Sequence, residues 1–252
     1  MGNKVVFVGL LIALLSAVGC DKGQFLDSTG PVVSEMRETG AITKVVVYDN
    51  VNVIFSNSID SGTIKVFAGK NIIDNIVTDY GANILTIKNE NKYNWTRDLD
   101  PDIRVYVPCV GIEEIYHESV GKMSCDTALT GNALKIEVAY GNGMIDLTLF
   151  YNTINLIGMW GGITDVILKG ECNTLTMYHS NYAPFDCRKL HARKVKVTEA
   201  GIQNSFVSAL EYLEPAITNY GNIYYYGTPE ITNHINTGKG KLIPADSIEI
   251  NF

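Results

Sequence analysis

Charged residues are scarce in this sequence of 252 residues, and no dense basic cluster occurs in it. Asp, Glu, Lys and Arg together make up only 19%, so no stretch of Lys and Arg could follow a nucleic-acid backbone. The formal net charge of −7 also disfavours electrostatic binding to anionic lipid. The composition therefore predicts no nucleic-acid partner.

Catalytic motifs are missing as well. The chain holds no Gly-x-Ser-x-Gly elbow and no His-Glu-x-x-His zinc motif, and its histidines follow no metal-ligand spacing. We interpret all four as structural or solvent-exposed residues that do not share one column of a repeat: His117, His179, His191 and His234. The sequence therefore predicts no catalytic residue and no cofactor.

No apolar run is long enough to cross a membrane comfortably. The longest follows Lys4, has 14 residues and ends at Val18, as in a targeting segment. It leads into Ala17-Val18-Gly19-Cys20, which resembles the lipobox of bacterial lipoproteins.

The lipobox resemblance implies a processed and anchored protein. Residues 1–19 would be a lipoprotein signal peptide, Cys20 would carry lipid on its sulfur, and residues 20–30 would form the lipidated tether. The expected location is the envelope of a Gram-negative bacterium, at the outer membrane, and the expected membrane contact is the anchor at Cys20.

A repeat of about twenty residues is the main positive feature of the sequence. Short alternating apolar segments begin at Leu134, Ile154, Leu175 and Val195, with steps of 20, 21 and 20, and Ile115 lies 19 residues before the first. Alternation indicates strands with one buried face, and a fixed repeat indicates one unit stacked on copies of itself. We therefore predict an all-β fold, a single-chain, right-handed parallel β-helix.

A strand-rich region without a regular period precedes the repeat. We predict an N-terminal β lobe over residues 31–110, continuous with the stack, and coils with a C-terminal cap over residues 111–252. Residues 201–215 fit a helical turn or an irregular coil. A cap is expected because the last coil otherwise presents an unpaired edge.

A column of asparagines accompanies the apolar column. Asn132, Asn152 and Asn173 each fall one or two residues before an apolar anchor, and Arg193 takes the corresponding place in the next coil. Asn tolerates the backbone of sharp corners, and stacked Asn side chains can hydrogen-bond along a strand stack. We predict an Asn ladder that ends at Arg193.

An acidic column is also expected. Its members recur at steps of 20, 19 and 21 and should point outward: Asp126, Asp146, Asp165 and Asp186. Carboxylates ~4.8 Å apart repel one another unless water, bases or a cation screen them. The four are therefore either a solvated acidic stripe or candidate ligands of Ca²⁺.

The cysteines and aromatic residues leave alternatives open. Cys125 and Cys187 lie three coils apart, too far for a disulfide. A disulfide between Cys109 and Cys125 is one alternative. The other is that Cys109, Cys125, Cys172 and Cys187 are buried thiols that pack as small apolar groups. Four aromatic side chains either present rings to a sugar or pack at coil corners and edges: Trp95, Trp160, Tyr178 and Tyr182.

Several segments resemble one known family. GNIYYYGTPEI at 221–231 and TGKGKLI at 237–243 are similar to the closing motif of the putative auto-transporter adhesin, head GIN domain family, and ITKVVVYDNVNVIFS at 42–56 is similar to its first strands. The resemblance extends over about residues 31–245. It implies a β-helical fold in secreted or envelope-bound bacterial proteins, and it implies no catalytic residues.

Together these observations predict a lipid-anchored envelope protein with a non-catalytic, adhesin-like or ligand-binding β-helical head. Its ligand would be a glycan or a protein. The alternative is a carbohydrate-active enzyme like a polysaccharide lyase, since β-helices host that chemistry. It would use the Asp column with Ca²⁺, and Arg188 would supply the base.

Overall fold

Strands make up most of the protein. The computed structural model describes residues 28–92, 102–159 and 161–245. Within these ranges one short 3-10 helix, Ile73–Asn75, interrupts the strands, and no helix has the length and hydropathy to span a bilayer. The strands are β1 (Val32–Glu38), β2 (Lys44–Asp49), β3 (Asn52–Ser56), β4 (Thr63–Gly69), β5 (Ile76–Gly81), β6 (Ile84–Asn89), β7 (Arg104–Pro108), β8 (Glu114–Ser119), β9 (Lys122–Cys125), β10 (Leu129–Val138), β11 (Met144–Gly158), β12 (Asp165–His179), β13 (Phe185–Glu199), β14 (Ser205–Ile217), β15 (Ile223–Tyr226), β16 (Glu230–Ile231), β17 (Ile235–Asn236) and β18 (Leu242–Pro244).

The strands wind into coils with three faces. A first face holds β8 and the last residues of β10 to β14, and a second face holds β9 and the first residues of β11 to β14. A short third face, which includes residues 149–151 of β11, leads back to the first. Neighbouring coils pair in parallel through about six turns. The predicted parallel β-helix is confirmed, and its right hand stays a prediction.

The apolar column has the predicted register. Leu134 pairs with Ile154, Ile154 with Leu175, and Leu175 with Val195, and all four side chains are buried. Inward residues of one coil therefore pack on those above and below, each contributing ~1.5–3 kcal/mol by its burial. The spacing of 19 residues matched Ile115 with Leu134, and this is wrong. Ile115 pairs with Ile136, the next inward residue of the same strand.

Residues 205–215 are strand, so of the two alternatives for residues 201–215 the helical turn is wrong, and the irregular coil agrees with the structure. Residues 205–217 make up β14, which pairs with β13 along its length, but two register shifts interrupt that pairing. Val195 pairs with Leu213, only 18 residues later. The shorter coil and its bulges conceal the period in the sequence.

The stack begins well before residue 110. β2 and β3 form a coil of their own, which pairs in parallel with β8 and β9 on one side and with β6 and β7 on the other. Pairing is thus continuous across the predicted boundary between residues 31–110 and 111–252. The chain order of the first coils differs from their stacking order, because β6 and β7 lie beneath β2 and β3.

Antiparallel strands cover the N-terminal end of the stack. β5 pairs with β6, β4 pairs with β7, and β1 pairs with β4, all antiparallel. Strand edges left open can recruit other chains; β5 and β4 cover the edges of β6 and β7, and β1 covers the outer edge of β4. Arg37 of β1 secures the cap, since its guanidinium donates to the carbonyl oxygens of Ile73 and Ile76 and to Thr78 Oγ1.

Candidate functional site

The predicted Asn ladder lies on the corner where the third face meets the first. Asn132, Asn152 and Asn173 take the same place in successive coils, because the residues on both sides of each are paired in register. Nδ2 of Asn152 donates to Oδ1 of Asn132 at 3.5 Å, the outer limit of a hydrogen bond. The corner therefore exposes a row of carboxamides.

An open groove runs along this corner, and we call it the Asn groove. It encloses about 910 Å³ and is lined by Gly131, Phe150, Tyr151, Asn152, Glu171, Cys172, Asn173, His191, Arg193 and Leu210. A second depression of about 690 Å³ adjoins it at Gly131 and includes Asn132, Lys135 and Asn155. The groove thus extends over several coils of the stack.

Apolar side chains stand beside the carboxamides. Phe150 is 45% exposed and Leu210 is 51% exposed. Phe150 points outward because its strand neighbours Leu149 and Tyr151 are buried. An exposed aromatic ring beside hydrogen-bonding amides is an arrangement that suits a ligand with both apolar and polar surface.

The floor of the groove is rigid. The hydroxyl of Tyr151 donates to the carbonyl oxygen of Ile112 at 2.8 Å, and the phenol is buried. Burial raises the pKa of this hydroxyl above its usual value. The ring lies directly over Gly131, where a Cβ would come within 2.6 Å of it. The ladder is therefore built on a fixed aromatic base.

Charged and polar residues mark one end of the groove. Nη2 of Arg193 lies 2.6 Å from Oε1 of Glu211, and the Arg193 side chain is 60% exposed. Nδ1 of His191 lies 3.2 Å from Oγ of Ser208. Arg193 thus ends the ladder as predicted, with donors that can reach a ligand.

Ion pairs line the adjoining depression. Nζ of Lys44 lies 3.0 Å from Oε1 of Glu114, and Nζ of Lys135 lies 3.5 Å from the same oxygen. Partial burial opposes ionisation of Glu114, but the hydrogen bond and charge of Lys44, with a further contribution from Lys135, lower its pKa overall. This carboxylate is therefore held charged and oriented between two lysines.

The groove has no activated nucleophile. Cys172 lies at its floor, only 6% exposed, and burial raises the pKa of its thiol to about 12. A thiol is inert until it loses its proton, so Cys172 stays unreactive at neutral pH. Within the described ranges, no group of three or more His, Cys, Asp and Glu residues could hold a metal ion.

The predicted acidic column is wrong. Asp146 pairs with Ser124 on one side and Ile167 on the other, while Asp165 pairs with Met144 in a different column. Asp186 pairs with Ile167, two coils above Asp146, and Asp126 lies beyond the residues of β9 that pair with β11. These Asp residues recur at nearly equal steps in the sequence, but they do not occupy equivalent positions in successive coils, because the corners differ in length. The carboxylates are not stacked as Ca²⁺ ligands.

Basic side chains neutralise two of these carboxylates. Nζ of Lys169 lies 2.6 Å from Oδ1 of Asp146. Arg188 donates from Nε and Nη2 to both oxygens of Asp186 at 2.9–3.0 Å, and its guanidinium lies 5.1 Å from the centre of the Phe206 ring. Arg188 is therefore the fixed partner of one acid and not a base beside an acidic column. The arrangement that the lyase alternative required does not form.

The four histidines do not share one column, but two of them do. His117 and His179 lie in one inward column, with Val138 and Gly158 between them. Both are buried, as a structural role requires, while His191 and His234 are exposed. Neither ring nitrogen of His117 has a hydrogen-bond partner among the described residues, and burial lowers its pKa to about 4.

His179 and Glu199 of this column form a buried cluster with Ser205, which lies at the start of β14. Nδ1 of His179 is 2.6 Å from Oε2 of Glu199 and 2.9 Å from Oγ of Ser205, and Nε2 is 2.9 Å from the carbonyl oxygen of Ala183. All three side chains are completely buried. The residue types are those of a hydrolase, but both imidazole nitrogens are engaged and no substrate can reach the serine, so the cluster links two coils structurally.

The remaining candidates are dispersed. Tyr178 is 39% exposed on the first face and Tyr182 is 45% exposed at a corner, so neither lines the Asn groove. Trp95, Trp160 and residues 1–27, which include Cys20, lie outside the described residues. The four cysteines after Cys20 are free thiols, so the disulfide between Cys109 and Cys125 does not form.

Known proteins share this architecture. The family model described as "Putative auto-transporter adhesin, head GIN domain" matches residues 41–229. A solved putative adhesin from Bacteroides fragilis is 19% identical, with a TM-score of 0.73 over 84% of this chain and 96% of that one. A putative adhesin from Parabacteroides merdae is 13% identical, with a TM-score of 0.64 over 86% and 98%.

A third solved structure carries a different functional name. A putative lipid binding protein from Parabacteroides distasonis is 17% identical, with a TM-score of 0.61 over 86% of this chain and 98% of that one. No curated protein matches the sequence. At these identities the solved structures establish the shared fold.

Proposed function

Because the chain belongs to the putative auto-transporter adhesin, head GIN domain family, we propose that it is a lipid-anchored envelope protein whose β-helical head binds an extracytoplasmic ligand without catalysis. The lipobox-like segment before Cys20 supports the anchor. The free, inert thiol at the floor of the Asn groove supports a non-catalytic role. The proposed location is the outer membrane of a Gram-negative cell.

The observation that carries this proposal is the carboxamide row beside exposed Phe150. Each Asn side chain offers a donor and an acceptor, which are the groups that pair with sugar hydroxyls. The face of Phe150 can stack on the apolar face of a sugar ring, and Arg193 adds donors in a planar fork. We therefore assign a glycan to the Asn groove as its ligand class.

Glycan-array binding of the mature protein tests the groove. We expect Phe150→Ala and Asn152→Ala each to weaken binding about tenfold, equivalent to about 1.4 kcal/mol. Tyr178→Ala and Asn142→Ala are matched controls, because they remove an exposed aromatic ring and an exposed carboxamide from other parts of the coil. The controls should bind like wild type.

Other results would change or end the proposal. If no glycan binds, but a protein from envelope extract is captured by wild type and not by Phe150→Ala, the ligand is a protein. Equal binding by the groove variants and wild type would mean that recognition occurs elsewhere. Unsaturated products released from a polysaccharide would show that the head is an enzyme.

A further inference from the structure

A second surface, on a different corner, is built from exposed apolar and aromatic side chains. It follows the corner between the first and second faces, and we call it the corner ridge. Its members and their exposed fractions are Val120 55%, Tyr140 70%, Met159 39%, Ile163 51%, Tyr182 45%, Ile202 53% and Tyr220 60%. Six successive coils contribute to it, and from Tyr140 onward Tyr and Ile alternate from coil to coil.

Backbone bonds connect neighbouring corners of the ridge. The amide of Ile163 donates to the carbonyl of Gly141 at 2.9 Å, and that of Tyr182 donates to Gly162 at 2.8 Å. The same contact recurs between Gly221 and Gly201 at 3.2 Å. Since coils are ~4.8 Å apart, six coils in register place the ridge residues along a line of ~24 Å.

Most of the ridge is also uncharged, although the chain has a net charge of −7 and Lys122 follows the corner of Val120. Five successive corners hold no Asp, Glu, Lys, Arg or His. They read Ala-Tyr-Gly-Asn-Gly (139–143), Met-Trp-Gly-Gly-Ile-Thr (159–164), Ser-Asn-Tyr-Ala-Pro (180–184), Ala-Gly-Ile-Gln-Asn (200–204) and Thr-Asn-Tyr-Gly-Asn (218–222). Charge returns at the C-terminal end, where Nζ of Lys239 lies 5.0 Å from the centre of the Tyr220 ring.

We propose that the corner ridge docks against the surface of a lipid bilayer with zwitterionic headgroups. Tyr is favoured at the boundary between headgroups and hydrocarbon, because its ring is apolar and its hydroxyl stays hydrated. Burial of the Ile side chains is favourable at ~25 cal/mol per Å², and the five corners from 139 to 222 bring no charged side chain of their own that has to be desolvated. A continuous row of outward side chains on a corner can also meet a plane along its length, whereas it offers a glycan no groove.

The position of the tether supports this occupant. The first residue of β1, Val32, pairs with Gly69 of β4. Gly69 lies two residues beyond Phe67, which pairs with Arg104 of β7. Arg104 pairs in turn with Asn52, the first residue of β3 after the corner between the first and second faces. The described chain therefore starts on the same side of the coil as the ridge. Four strand spacings, ~19 Å, separate β1 from the coil of Val120, while the eight residues 20–27 can span up to ~27 Å.

Docking of this kind would leave the Asn groove free. The groove lies on the corner between the third and first faces, and the ridge lies on the corner between the first and second. A head resting on the ridge would thus present the carboxamide row away from the lipid. The tether argument rests on the anchor proposed at Cys20, but the side-chain and charge arguments do not.

Cosedimentation with vesicles of phosphatidylcholine tests the ridge. The protein used is the chain from residue 20 with Cys20→Ser, which keeps every described residue and removes the lipid. We expect it to sediment with vesicles, and we expect Tyr140→Ser, Ile163→Ser and Tyr182→Ser together to lower the bound fraction at least tenfold. The matched control is Tyr178→Ser with Tyr212→Ser, exposed rings that lie outside the ridge.

Each outcome decides the proposal. Failure of the Cys20→Ser chain to bind vesicles, or equal binding by the ridge variant and wild type, would overturn it. A ridge variant that changes the oligomeric state on gel filtration, without any change in vesicle binding, would assign the ridge to a contact between copies. Glycan binding by the Asn groove is measured separately, so either proposal can fail while the other stands.

Discussion

At the scale of single residues, a side chain's direction decides its importance for stability. Ile154 points inward and is fully buried between Leu134 and Leu175, whereas its neighbour Asn155 points outward. Ile154→Ala should lower the free energy of unfolding by ~2–5 kcal/mol, because it leaves a cavity. Asn155→Ala should change it by less than about 0.5 kcal/mol. Urea midpoints compare the two, and a larger effect of Asn155→Ala would contradict the register.

His117 makes stability depend on pH. It packs between Val47 and Val138, and burial lowers its pKa to about 4, so the folded protein keeps it neutral where the unfolded chain binds a proton. The stability that neutral His117 allows the folded protein is fully present above about pH 6.5 and is lost as the pH falls towards 4. Between pH 7.5 and pH 4.5 the wild-type protein should therefore lose about 2–3 kcal/mol of unfolding free energy through His117, and His117→Leu should not show this loss.

The measurement for His117 is urea unfolding at both pH values. At pH 7.5 we expect His117→Leu to be at least as stable as wild type, since both neighbours along the column are apolar. The exposed His234 supplies the matched control, and His234→Leu should keep the wild-type dependence on pH. The same pH dependence in His117→Leu and wild type would assign the acid sensitivity to other groups.

At the scale of elements, the N-terminal cap depends on one side chain. Arg37→Ala would remove the guanidinium donors from the Ile76 carbonyl and from Thr78 Oγ1 and leave the Ile73 carbonyl only the amide of Ile76, a cost of about 1–3 kcal/mol for each group left buried without a partner. Because β1 and β5 end the stack, the loss should be local. We expect faster amide exchange in β1, β4 and β5, unchanged exchange in β12 and β13, and greater self-association through the uncovered edges.

A surface arginine controls for the cap experiment. Arg193 is 60% exposed and pairs with Glu211 on the outside of the coil, so Arg193→Ala should leave exchange in the cap unchanged. Global destabilisation by Arg37→Ala, with equal exchange in cap and coils, would show that the cap and the stack unfold as one unit.

The elements also show what a sequence can predict of such a fold. The column through Leu134, Ile154 and Leu175 was predictable, because the coils there keep one length and strict alternation. β14 was not, since two bulges and a coil of 18 residues break the period. The position of β6 and β7 beneath β2 and β3 was not predictable either, because parallel pairing carries no signal of chain order.

The candidate groove was predictable only in part. Equal spacing found the Asn ladder, because its residues lie next to the regular apolar anchors. Equal spacing failed for the Asp column, because those residues follow corners of different length, and Asp165 lies one column away from Asp146. Phe150 carried a usable signal, an aromatic residue at an outward position of an alternating strand, but its place beside the Asn ladder emerged only from the fold.

At the scale of the whole molecule, the proposed anchor would decide how the two proposed surfaces are used. A head held near a bilayer through residues 20–27 would meet lipid at a far higher effective concentration than a free head does, so a weak ridge contact would suffice to orient the groove. Cys20→Ser should abolish lipid attachment, because the sulfur that carries the lipid is lost, and should release most of the head from the membrane fraction, leaving only the weak association of the ridge. Metabolic labelling with a palmitate analogue measures the attachment, and fractionation measures the release.

The control for the anchor is a second cysteine substitution in the same chain. Cys125 is a free, half-buried thiol on the second face, so Cys125→Ser should keep both the label and the membrane location. Labelling that persists in Cys20→Ser would contradict the lipobox. Loss of the label with continued weak, salt-resistant association would instead support the ridge, because the apolar contact of Tyr140, Ile163 and Tyr182 does not depend on charge. Tyr140→Ser in the unlipidated protein should then remove most of that residual association.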